Sequence, residues 1–232
     1  MKGTKIIAGA LVSAMMLTGA GYAYWTDQVT VANTVSTGEL KVEFDEVSFL
    51  GVPILPYQLN VDTAGENYIN GSIEHSAKTL TVSVGNMYPG SMSLFAAKIE
   101  NKGSIPAVFD EVDLDFTTDS SQLEEDLIVA GGYIHFNKND AIKGGDFFLG
   151  TLGNLEENLN SLFNNLRLEP GDYILLDIPE EHQAEVAQAI PAYNPEEQNC
   201  IIFYLDHNAG DDAENENVQF DININWKQHN AN

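Results

Sequence analysis

The chain has 232 residues, 44% of them hydrophobic, which suits one domain with a sizeable core and argues against wholesale disorder. Its charge is lopsided: 35 acids stand against 10 bases, the net charge is −25, and Arg167 is the single arginine. Nucleic acids and anionic membranes are bound through clustered Lys and Arg, and no such cluster exists, so both are excluded as partners and a cation-attracting surface is expected.

The N-terminus reads as a targeting segment. Lys2 and Lys5 form a basic start, Ile6 to Ala20 an apolar run, and Gly21-Tyr22-Ala23 a small-x-small cleavage site. Residues 1–23 are therefore expected to be a signal peptide, cut between Ala23 and Tyr24 by a signal peptidase, leaving a secreted protein with no membrane attachment. The alternative is an uncleaved anchor, because the uncharged stretch from Ile6 to Thr26 is just long enough to span a bilayer. Residues 24–36 then read as a separate strand. Trp25, Val29, Val31 and Val35 share one parity, while Thr26, Gln28, Thr30 and Thr34 face the other way. Tyr24 becomes its free end once the leader is removed. Twelve residues reach roughly 40 Å at about 3.3 Å each. Burying four such side chains contributes about 6–12 kcal/mol gross, at roughly 1.5–3 each. The strand can stay in its own sheet or add to the open edge of a neighbour, and the residues alone leave both open.

From residue 37 onward strand signals dominate. Leu40 to Phe44, Leu80 to Val84, Val112 to Phe116 and Phe220 to Trp226 alternate apolar and polar residues, as half-buried strands do. Tyr133 to Phe136 and Cys200 to Leu205 are continuously apolar, as central strands are. Phe49 to Gly71 reads as a long loop or an extra hairpin. Met87-Tyr88-Pro89-Gly90 and Leu168-Glu169-Pro170-Gly171 each place a Pro-Gly type II turn before a strand. Short helices are expected around 119–128, 152–166 and 180–190, the second from the stripe Leu152, Leu155, Leu159, Leu162, Phe163 and Leu166. The class is mainly β: an antiparallel sandwich or barrel over 37–232 with a few short inserted helices.

Catalytic motifs are missing. No His-Glu-x-x-His pair occurs, and His182-Gln183-Ala184-Glu185 starts an inverted zinc-protease motif that Val186 breaks. His182 is expected to be a solvated helix residue. There is no Gly-x-Ser-x-Gly elbow and no phosphate loop, and Gly131-Gly132 and Gly144-Gly145 read as turns flanking short strands. Cys200, the only cysteine, excludes an internal disulfide and reads as a buried, inert thiol. The one cation-like segment holds Asp206, Asn208, Asp211, Asp212, Glu214 and Glu216, oxygen ligands dense enough for calcium. Its spacing is not an EF-hand, with Asn217 where a bidentate Glu is needed, and a solvated acidic loop is the plainer reading. No cofactor is expected, calcium apart.

Several segments resemble the TasA/camelysin family of exported matrix proteins processed by the signal peptidase SipW. They are Gly21-Tyr22-Ala23-Tyr24-Trp25-Thr26-Asp27, Val35-Ser36-Thr37-Gly38-Glu39-Leu40-Lys41-Val42, Asn86-Met87-Tyr88-Pro89-Gly90, Ile99-Glu100-Asn101-Lys102-Gly103-Ser104-Ile105 and the last strand, Val218 to Trp226. Together they cover about a third of the chain, in the family's order; the middle, 117–195, matches nothing. The resemblance implies a jelly-roll domain, an extracellular-matrix or cell-surface location, and assembly into biofilm fibres by donor-strand exchange. Tyr24 to Val35 would be the donor, the chain itself the main partner, and other matrix proteins further ones. The metalloprotease activity described for some family members is not carried over, because the zinc motif is absent. The expectation is a non-enzymatic fibre subunit, with a monomeric fibre cap or calcium-dependent adhesin as the alternative and a secreted metallopeptidase behind it.

Overall fold

The computed structural model describes residues 11–16, 38–52, 69–118, 123–191, 193, 200–210, 213 and 216–229. The chain divides into two compact units, Met1–Thr37 and Gly38–Asn232. Of the first, residues 11–16 are described and are helical and exposed.

The second unit is mainly β, built from two antiparallel sheets. Sheet A runs in the order β1 (Val42–Val52), β4 (Met92–Asn101), β10 (Ile201–Leu205), β6 (Leu127–Phe136), β7 (Ile142–Thr151), with β9 (Tyr173–Leu175) also lying between β4 and β6. Sheet B runs β2 (Asn70–His75), β3 (Thr79–Gly85), β11 (Asn217–Gln228), β5 (Ala107–Phe116), β8 (Arg167–Leu168). From β3 to β6 each successive strand switches sheet, the jelly-roll-like habit of a sandwich. The inner faces meet through aromatic side chains: Phe203 of sheet A lies 5.9 Å from Phe220 of sheet B, centroid to centroid, and 5.6 Å from Phe95.

The two sheets differ in how they meet water. Among the described residues sheet B is covered on one side only, so Leu80, Val82, Phe220 and Ile222 are buried while half-buried Thr81, Asp221 and Asn223 alternate with them on the outer face. Sheet A is covered on both. Its outer face carries Leu94, Ile202 and Tyr204, which pack with Ile178, Val186 and Ile190 of the segment containing helix α2 (Gln183–Ala189). All five residues of β10 are therefore buried, which explains their continuous apolar run. Helix α1 (Leu155–Leu162) follows a 3-10 turn, Leu152–Asn154, and sends Leu155, Leu159 and Leu162 into the core. Both Pro-Gly turns form: Ser91 N–H donates to Tyr88 C=O and Asp172 N–H to Glu169 C=O, each at 2.9 Å, with Gly90 at φ 87° and Gly171 at φ 83°.

Four expectations need correction. The helix expected over 119–128 is replaced, in its described part, by turns at 123–126 and by β6 from Leu127 onward. Two ladder partners, β10 and β7, outweigh a short capped helix there. Of the loop or hairpin expected over 49–71, residues 53–68 lie outside the described residues; Phe49 to Val52 are not loop but continue β1, and β2 begins at Asn70. A bulge between Phe44 and Val47 flips the side-chain parity and hides the rest of the strand from a period-2 reading. Gly131-Gly132 and Gly144-Gly145 are not flanking turns; they lie inside the paired strands β6 and β7. A Cβ on Gly132 would sit 2.4 Å from Asp146 O and 2.9 Å from Asp177 O, so only glycine lets the chains approach this closely. His182 is half-buried and stacked on Phe147, with centroids 4.0 Å apart, rather than solvated.

Candidate functional site: the sheet edges and the start of the domain

Ala23 and Tyr24 of the cleavage site, and Tyr24, Trp25, Val29, Val31 and Val35 of the expected polymerisation strand, lie outside the described residues. So do Asp211, Asp212 and Glu214 of the acidic loop. Its Asp206, Asn208 and Glu216 are described. Asp206 Oδ1 accepts the Asn208 backbone N–H at 2.8 Å and Asn208 Nδ2 at 3.0 Å, and Asp206 C=O accepts Ala209 N–H. This is an Asx turn, so the carboxylate already serves the loop's own backbone. Among the described residues no three His, Cys, Asp or Glu side chains are grouped to hold a metal ion.

A protein that joins strands between copies must leave one sheet edge open and close the rest. β5 is an edge for most of its length, because β8 pairs only with Ala107 and Val108. It is closed by side chains. Asn160 of α1 accepts Val112 N–H at 2.9 Å and donates to Val112 C=O at 2.8 Å, doing the work of a neighbouring strand residue. Glu156 accepts Leu114 N–H, and Leu166 C=O accepts Phe109 N–H. β7 is blunted by a bulge opposite His135 and Phe136, by Gly144 at φ 150°, and by α1 packed on its last residues. The remaining side differs. β1 beyond its bulge and all of β2 have, among the described residues, no strand on their outer edges. These two strands touch each other, one from each sheet, and Val47 and Ile73 sit there half-buried against the core.

Residues 38–42 and 99–105, two segments of the family resemblance, meet. Glu39 C=O accepts Ser104 N–H and Glu39 N–H donates to Ser104 Oγ, both at 2.9 Å. Asn101, fully buried, organises the junction: Nδ2 donates to Ile105 C=O and Leu168 C=O, and Oδ1 accepts Gly103 N–H. Its backbone exchanges two bonds with the second Pro-Gly turn, Asn101 N–H to Asp172 C=O and Gly171 N–H to Asn101 C=O. The point at which the N-terminal segment joins the domain is thus held by backbone from three stretches of chain.

Asp172 anchors the same turn from within. Its Oδ2 accepts Lys143 Nζ at 2.8 Å, His135 Nε2 at 3.1 Å and Glu169 N–H at 3.3 Å. Burial would raise the Asp172 pKa, but these donors hold it below the ordinary carboxylate value. Burial pushes His135 below its ordinary value, with Lys143 adding to the effect against the pull of Asp172. Cys200 is buried, and burial with the nearby Asp177 charge pushes its thiol up to about 12. The roles of Asn160, Glu156, His135 and Asp172 have no signal in the sequence, since each depends on a partner far along the chain. No family model matches the chain, and neither a curated protein nor a solved structure is significantly similar to it.

Proposed function

We propose that the chain is an exported, non-enzymatic structural subunit of extracellular-matrix fibres, polymerising when Tyr24 to Val35 of one copy pairs with the open edge of the next. The observation that carries this reading is the contrast between edges: β5 is closed by Asn160 and Glu156 and β7 is blunted, whereas among the described residues β1 and β2 have no strand on their outer edges, beside half-buried Val47 and Ile73. A strand laid on β2 would contribute backbone hydrogen bonds at about 0.5–1.5 kcal/mol each and cover that apolar rim. The junction at Glu39, Ser104 and Asn101 supports the same reading, because it gives a free N-terminal strand a fixed point of departure. Negative-stain electron microscopy of residues 24–232, beside a version starting at Ser36, tests it. Fibres from the first and particles from the second are expected; particles from both across salt, calcium and acid pH would refute polymerisation.

A further inference from the structure

One column of sheet A, between β4 and β6, is shared by two strands from different parts of the chain. β10 pairs with Met92–Phe95 and Leu127–Ala130, and β9 pairs with Lys98–Glu100 and Ile134–Phe136. The chain leaves the column at Asp177, whose N–H donates to Gly132 C=O at 3.0 Å, and returns at Cys200. Beside this break a trough of about 230 Å³ crosses β1, β4 and the end of β9. Its lining includes Glu46 and Ser48 on one wall, Ala96 and Leu175, Asp177 at the break, and Lys98.

Charge and polarity in this trough are unbalanced. Lys98 is the only base in the lining, and it is already engaged: its Nζ bonds Glu100 at 2.9 Å and Asp45 at 3.4 Å, and lies 4.7 Å from the Tyr173 ring centroid. Asp177 is half-buried. One of its oxygens accepts Ile178 N–H at 2.7 Å, and no cation meets its carboxylate among the described residues. Burial accordingly raises its pKa. Close enough to feel its charge are Cys200 and Tyr193, both buried, and the Tyr193 hydroxyl has no hydrogen-bond partner among the described residues. A carboxylate in partly apolar surroundings without a counterion gains more from an incoming cation than a solvated one does. The apolar surface of Ala96 and Leu175 suits a methylene stem behind that cation.

We propose that this trough binds an alkylammonium group, with the stem on Ala96 and Leu175 and the charge at Asp177. A lysyl side chain of a partner and a free diamine share this chemistry. The test is a titration of the full chain followed by amide NMR shifts, using 1,5-diaminopentane, N-acetyl-lysine methylamide and methylammonium as probes. We expect saturable shifts around Ala96 and Leu175 with the two long amines, and binding at least about tenfold weaker for methylammonium, which has the charge without the stem. Asp177→Asn should weaken binding by at least about tenfold, as losing one partly desolvated ion pair does. Asp113→Asn, which removes the same charge from the outer face of sheet B, should leave it unchanged. Ala96→Leu, which fills the trough while keeping every charge, provides a second block should Asp177→Asn fold poorly. Tighter binding of the lysine derivative points to a partner's side chain, and tighter binding of the diamine to a free amine. Equal weakening by both Asn variants, equal binding of methylammonium, or no saturable binding would overturn the proposal.

Discussion

Asn101→Ala tests the junction that holds the start of the domain. The substitution removes three hydrogen bonds at once, to Ile105 C=O, Leu168 C=O and Gly103 N–H. The bond to Leu168 is fully buried, so its carbonyl loses a partner with no water to replace it, at about 2 kcal/mol. The other two groups lie nearer the surface and cost about 1 kcal/mol each, because water regains part of each bond. The total is about 4 kcal/mol, a large share of a domain's usual 5–15 kcal/mol. At roughly 2–4 °C per kcal/mol for a domain of this size, the melting temperature should fall by about 8–16 °C. Urea denaturation followed by tryptophan fluorescence measures the loss directly. Asn101→Asp keeps the acceptor for Gly103 but turns a carboxylate toward two carbonyls, and should be at least as damaging at neutral pH. A loss below about 1 kcal/mol for Asn101→Ala would refute the role given to this side chain.

Two glycines separate crowding from backbone strain. Gly132→Ala forces a Cβ against backbone oxygens and should cost about 3 kcal/mol or more, whereas Gly90→Ala, at φ 87° with open space around it, should cost about 1–2 kcal/mol; equal losses in thermal melts would contradict this. His135 titrates with a folded pKa below its unfolded value, so its contribution is present above about pH 6.5 and drains away as pH falls through the folded pKa. Asp172 acts in the same sense at lower pH, below about 3.9. His135→Gln keeps a donor for Asp172 without a titration, and should therefore lose less stability than the parent between pH 7.5 and 5.0 in urea melts; an unchanged difference rules His135 out as a source. The Cys200 thiol, raised from 9.0 to about 12, holds about a thousandfold less thiolate at pH 8 than an ordinary cysteine. An aromatic disulfide reagent should label it only on unfolding, and rapid labelling of the native protein would show the site to be open.

What the sequence determined by itself is whatever depends on neighbours along the chain. Alternation over Leu80 to Val84 and Phe220 to Trp226 marks one-sided strands because side chains in a strand repeat every two residues. Pro89-Gly90 and Pro170-Gly171 mark their turns because one residue presets φ and the next tolerates a positive one. The stripe from Leu152 to Phe163 marks a helix with one buried face. The same local logic failed where pairing between distant residues decided the outcome. The bulge after Phe44 and the one at Asp110 in β5 shift parity in mid-strand, so a period-2 reading sees only one half of each strand. Residues 119–128 read locally as a capped helix, yet Leu127 and Ile128 pair with Leu205 and Tyr204, more than 75 residues away. The candidate sites divide in the same way. The expected N-terminal strand rests on a local apolar stripe alone, whereas the closing of the β5 edge depends on Asn160 reaching Val112, a contact 48 residues apart. Asp177 is one acid among 35 in the sequence, and the break between β9 and β10 sets it in a partly apolar trough with no counterion among the described residues.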